Sequence, residues 1–171
     1  MPTQLFISCF AIVLLLNASS YASEQAKETE IPLVVNIKRM SMETALKIAR
    51  ASIEACRAKG IQVGVTVVDR GGHPQVILRD VLAPDLTLQV SRQKAYTAMS
   101  FNRATSEMLL GGANIISQVE GVLMAAGGVP IEFGGTLYGG IGVSGAPNGK
   151  TDEECAQAGL KAVAEDMELL E

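Results

Sequence analysis

The chain has 171 residues, is 48% hydrophobic and 19% charged, carries 4% aromatic residues and no tryptophan, and has a net charge of -4. That length and balance describe one globular domain with a substantial core. Mild acidity without a Lys/Arg cluster excludes a nucleic-acid binder, and no apolar run reaches the ~20 residues that span a bilayer.

Leu5 to Leu16 is an apolar run, followed by Ser20 and Ala22 at the small-residue positions that a signal peptidase reads. Residues 1–22 therefore read as a leader cut after Ala22, and the protein as exported, to the periplasm or beyond. Residues 23–38 read as a polar arm in which Pro32 to Ile37 forms a short edge strand. The domain proper is expected over residues 39–171.

Ser41 is the expected N-cap of a helix running to Lys59 and closed by Gly60, with Met42, Leu46, Ala49, Ile53 and Cys56 as its buried stripe. Ile61 to Val67 alternates as a half-buried strand does. Asp69-Arg70-Gly71-Gly72-His73 is a tight turn, and Gln75 to Arg79 is the returning strand. Asp85 is the expected cap of a helix over Leu86 to Phe101, with Leu88, Ser91, Ala95 and Ala98 on its buried face and Lys94 turned elsewhere. Thr105 to Leu110 reads as a further short helix. Ala113 to Ala126 reads as a loop holding one helical turn.

Gly127 to Thr151 contains nine of the chain's 17 glycines. Val129 to Ile131 and Leu137 to Val143 read as strands joined by a turn at Phe133-Gly134-Gly135. Gly139, Gly140 and Gly142 weaken a strand, so a helix, a subunit or a ligand is expected close to that backbone. Thr151 and Glu154 fit a capping box that opens a last helix, with Cys155, Ala158, Ala162, Met167 and Leu170 buried. The order of elements predicts an α+β domain: a single antiparallel β-sheet of about four to five strands flanked by α-helices. Cys56 and Cys155 both lie on apolar helix stripes, and a disulfide and two small buried side chains satisfy that pattern equally.

Ser144 to Thr151 is one residue short of a phosphate-binding loop. The antiparallel order and the expected export speak against nucleotide hydrolysis. A weaker site remains, in which the backbone around Ser144, Gly145 and Thr151 holds an anion at the helix start. His73 is the chain's one histidine, so no Ser-His-Asp triad exists without it, and as a lone imidazole it suits an axial haem ligand. Lys94 reads as a solvated helical lysine unless burial activates it. Arg79 is a partner for Asp69 across the hairpin or for an anionic ligand.

The motifs Val67-Val68-Asp69-x-Gly71-Gly72-His73, Arg79, Ser91-x-x-Lys94-Ala95-x-Thr97-Ala98, Gly127-Gly128-Val129-Pro130-Ile131 and Gly140-Ile141-Gly142-Val143-Ser144-Gly145, with Asp152-Glu153-x-Cys155-Ala156-x-Ala158-Gly159, together resemble the GlcG/HbpS-like family from about Met40 to Leu169. The resemblance implies an antiparallel sheet flanked by helices, assembly into dimers or larger homo-oligomers, and haem as the ligand. It points to His73 as the haem-iron ligand and to Arg79, Lys94 and Thr97 as further haem-pocket or contact residues. The leading expectation is an exported haem-binding protein without catalysis of its own. The alternatives are an enzyme or accessory protein for a small carboxylate or carbonyl compound, with Lys94 and Asp69 as its acid–base pair, and an oligomeric scaffold.

Overall fold

The computed structural model describes residues 31–108 and 115–169. The expected leader, the end of the short helix after Met108, and Leu170 lie outside the described residues. Residues 31–37 form no strand, and Ile31, Leu33, Val34 and Val35 are exposed. The edge strand expected at Pro32 to Ile37 is therefore corrected: proline removes a ladder donor, and among the described residues no strand pairs with this run.

From Ile37 onward the described residues form one unit. Its elements are α1 (Met42–Arg57), β1 (Gly64–Asp69), β2 (Pro74–Arg79), α2 (Leu86–Phe101), α3 (Thr105–Met108), a 3-10 turn (Ile115–Gln118), β3 (Gly128–Phe133), β4 (Thr136–Ser144), α4 (Gly149–Lys161) and α5 (Ala164–Glu168). The strands form a single four-stranded sheet in the order β2-β1-β4-β3, antiparallel throughout. The α+β expectation is met with four strands.

β1 sits inside the sheet and is buried along its whole length, not on one face alone. Its alternation sorts side chains between two helical layers. Val65 and Val67, with Ile141 and Val143 opposite them on β4, pack in the main core with Ile48, Ile53 and Ala156 of α1 and α4. Thr66 and Val68, paired with Gly142 and Gly140, face α2 instead. There the Thr66 hydroxyl bonds that of Ser91 at 2.8 Å.

The glycines on this second face are required by α2. A Cβ at Gly142 would collide with the Ser91 carbonyl oxygen and lie 2.6 Å from the Ala95 nitrogen. One at Gly140 would meet the Ala95 carbonyl oxygen and lie 2.9 Å from the Met99 Cβ. The close neighbour expected of these glycines is thus a helix of the same chain. Gly142→Ala is expected to cost about 1–3 kcal/mol, the usual range for overpacking, measured by urea unfolding; a variant as stable as wild type would show that α2 can lift away freely.

Ser41 caps α1, accepting from the Thr44 amide at 3.1 Å. The buried face of α1 is Ala45, Ile48, Ala49, Ser52, Ile53 and Cys56; Met42 and Leu46 of the expected stripe are exposed. Asp85 precedes α2 but its side chain makes no capping bond; the Thr87 hydroxyl donates to the Pro84 carbonyl instead. Gly134 and Gly135, both with positive φ, form the two-residue turn between β3 and β4. The expected capping box at Thr151 is replaced by Asn148, whose side-chain oxygen accepts from the Thr151 amide at 2.9 Å. Glu154 faces Lys59, in the turn that follows α1, rather than reaching back to a backbone amide. On the closing helices Asp152, Cys155, Ala156, Gly159 and Met167 are buried, whereas Ala162 is exposed.

α1 and α4 cross closely. A Cβ at Gly159 would collide with the Ser52 hydroxyl and lie 2.6 Å from the Ile48 carbonyl oxygen. Close beside this crossing Cys56 and Cys155 form a disulfide with Cα atoms 5.6 Å apart. Among the described residues no helix is long and apolar enough to cross a membrane.

Candidate functional site

A cavity of about 500 Å³ opens beside the β1–β2 turn, lined by Gly71, Gly72 and His73, by Gln89, Arg92, Gln93 and Tyr96 of α2, and by Glu120 and Gly121. The turn is built by Asp69. Its Oδ1 accepts from the Gly71 amide at 2.8 Å and the His73 amide at 3.0 Å, a side-chain mimic of a backbone turn. Gly72 adopts φ +81°, and a Cβ there would lie 2.8 Å from the Tyr96 ring. Glycine therefore supplies both the left-handed conformation and the close approach to α2.

His73 projects from this turn with its side chain 80% exposed and its Nδ1 3.4 Å from Asp69 Oδ1. Asp69 is only 8% exposed and also accepts from Arg39 Nη1 at 2.8 Å through Oδ2. Burial pushes the Asp69 carboxyl up, but the His73 and Gly71 amides, then Arg39, outweigh it and hold the group below the ordinary aspartate value. The opposite wall is anchored by Thr97. Its hydroxyl donates to the Gln93 carbonyl at 2.7 Å and accepts from the Leu123 amide at 2.8 Å, fastening the segment that carries Glu120 and Gly121 to α2.

The remaining residues singled out from the sequence lie elsewhere. Arg79 ends β2, six residues beyond His73 and roughly 20 Å away at the strand rise of about 3.3 Å per residue. It donates to the Ala83 carbonyl and does not pair with Asp69, which sits at the other end of the hairpin. Lys94 is not a solvated lysine. It is buried, and its Nζ bonds Asp152 Oδ2 at 2.8 Å and the Val143 carbonyl at 2.9 Å. The proposed Lys94–Asp69 acid–base pair is thereby corrected: Lys94 points through the α2 layer to α4, because Gly127 leaves room for its ammonium. Ser144 is buried at the end of β4, and the Thr151 amide is held by Asn148. The Ala146 amide beside Gly145 is taken by Asp152 Oδ1 at 2.9 Å.

Tyr96, Arg92, Gln93 and Gln89 are cavity residues that sequence reasoning missed. Their signal is the spacing 89, 92, 93, 96, one stripe of α2 that does not include the sheet-facing Ser91, Ala95 and Ala98.

The family model described as haem degrading protein HbpS-like matches residues 40–161. The chain belongs to the HbpS-like family.

Among curated proteins it is 31% identical over 109 residues to Protein GlcG of Escherichia coli K12, covering 61% of this chain and 81% of that protein. It is 28% identical over 131 residues to the corrinoid adenosyltransferase PduO of Salmonella typhimurium, covering 72% of this chain but only 39% of that enzyme. Among solved structures, HbpS matches at 38% identity with a TM-score of 0.74, over 77% of this chain and 95% of its own. The PduOC:haem complex matches at 28% identity and TM-score 0.67, over 73% of this chain and 95% of that one. Among the described residues no three His, Cys, Asp or Glu side chains gather to hold a bare metal ion. One imidazole, one aromatic wall and one guanidinium on a shared cavity fit a haem better, since the porphyrin brings four of the iron's ligands itself.

Proposed function

We propose that this protein binds haem in the cavity at the β1–β2 turn, with His73 as the axial ligand. The observation that carries the reading is the placement of the lone histidine on the same cavity as Tyr96 and Arg92. His73 would hold the iron, Tyr96 would pack against the ring, and Arg92 would meet a propionate as a charge-assisted donor. Arg92 takes the role first given to Arg79 and Lys94, which do not line the cavity. Thr97 contributes by fixing the wall. Bound haem would supply a redox-active iron; the chain would supply the ligand and the orientation.

Export fits the same reading. The Cys56–Cys155 disulfide is the kind of bond that persists in oxidising compartments, and the apolar segment from Leu5 to Leu16 provides a route there.

The test is a haemin titration followed in the Soret region, comparing the chain that begins at Ser23 with its His73→Ala variant. Wild type is expected to give a saturable, shifted band, and His73→Ala to weaken binding on the order of tenfold or more and to lose that band position. A variant with unchanged affinity and spectrum removes His73 from the iron. A wild type with no saturable band removes haem.

A further inference from the structure

We propose that Asp69 is the positioning residue of this site: its carboxylate selects the Nδ1–H tautomer of His73 and strengthens Nε2 as the iron donor. The inference rests on the reading of His73 as a haem ligand and adds a residue that would tune it.

Asp69 closes β1 and is held from three sides, by the Gly71 and His73 amides at Oδ1 and by Arg39 at Oδ2. A carboxylate so fixed acts as a rigid acceptor, and the His73 Nδ1 lies 3.4 Å from Oδ1. Gly71 permits that orientation, because a Cβ at this position would stand 2.9 Å from Nδ1 and 3.2 Å from Asp69 Oδ1. With a proton kept on Nδ1, the lone pair is on Nε2, the ring nitrogen turned away from Asp69. A histidine ligand whose second nitrogen donates to a carboxylate becomes a stronger donor, and this favours ferric over ferrous iron. Arg39 opposes the effect by drawing charge toward Oδ2.

Two variants of the disulfide-intact chain that begins at Ser23 separate this role from simple support of the turn. Asp69→Asn keeps a carbonyl oxygen for the two amides but removes the charge. Arg39→Ala keeps the carboxylate and removes its competing cation. Ferric haemin affinity is read in the Soret region and the midpoint potential by spectroelectrochemistry. Asp69→Asn is expected to weaken ferric haemin binding by about 10–100-fold and to move the potential positive. Arg39→Ala is expected to move the potential negative. Shifts of the same sign in both variants, or an Asp69→Asn protein with wild-type affinity and potential, overturn the proposal. Should Asp69→Asn fail to fold, Arg39→Ala decides alone, and an unmoved potential counts against the role. His73→Ala run beside them separates the two failures. If it binds as wild type, the ligand reading falls; if it is weak while Asp69→Asn is unchanged, only the positioning role falls.

Discussion

Lys94→Met is expected to destabilise the protein by about 3–5 kcal/mol, the cost of leaving one member of a buried ion pair without its partner. The Lys94 and Asp152 side chains are 5% and 4% exposed, and they join α2 to α4 beneath the end of β4. Removing the ammonium strands the Asp152 carboxylate and leaves the Val143 carbonyl without this donor. The pair is a poor source of net stability, so the loss should be largely recovered when its other half is neutralised as well. Lys94→Met with Asp152→Asn keeps an oxygen for the Ala146 amide and is expected to regain most of the deficit in urea melts.

The single variant also carries a pH signature. Burial already pushes the Asp152 carboxyl above its ordinary value, with Lys94 and the Ala146 amide pulling it back. Without Lys94 the folded-state value rises further above the unfolded one. A raised folded value favours the protonated folded form, so the deficit should be largest at neutral pH and shrink as pH falls through that raised value. A deficit that is constant from pH 7 to pH 5, or a double variant no better than the single, would mean that the lysine acts through packing alone.

Reduction of Cys56–Cys155 is the second large effect. The bond closes a loop with a sequence separation of 99 between helices α1 and α4. A loop of that size corresponds to about 4.7 kcal/mol of lost unfolded-chain entropy, and measured values for native disulfides run about 2–5 kcal/mol. For a domain of this size the expected fall in melting temperature is on the order of 10–20 °C. It is read by calorimetry with and without a reductant, beside a Cys56→Ala/Cys155→Ala chain. Mass spectrometry after alkylation under denaturing conditions should find both thiols blocked only once reductant is present. Equal melting temperatures in the two redox states would show that α1 and α4 hold together through Gly159 and Ser52 without the bond.

The resemblance carried by the turn motif, the Gly140 to Gly145 run and the α4 motif led to the right family, and short-range patterns located most elements. Two-residue turn chemistry marks Gly134-Gly135, and the Ser41 cap marks the start of α1. Periodicity located β1 in part, since Ile61 to Val63 precede the strand and Val68 and Asp69 extend it. It missed the two-sided burial, because alternation of valine with threonine and glycine looks half-polar until a helix covers the small-residue face. The same blindness explains Lys94. No local pattern distinguishes a solvated lysine from one whose carboxylate partner is 58 residues away. The cap at Asn148 is a different kind of miss: two polar residues three apart compete for one helix start, and the local geometry chose the first.

By itself the sequence determined the α+β architecture, the two hairpins, the lone histidine in a Gly-Gly turn, and the need for something to lie close on Gly140 and Gly142. Each of these is written in residues next to or a few positions from one another, where backbone sterics and hydrogen-bond competition act. Only the tertiary structure decided that α2 is that close neighbour, that Cys56 meets Cys155, that Lys94 is spent on Asp152, and that Arg92 and Tyr96 rather than Arg79 stand beside His73. Those outcomes depend on which faces the sheet order β2-β1-β4-β3 brings together, and such proximity is a property of the packed layers that no local stretch encodes.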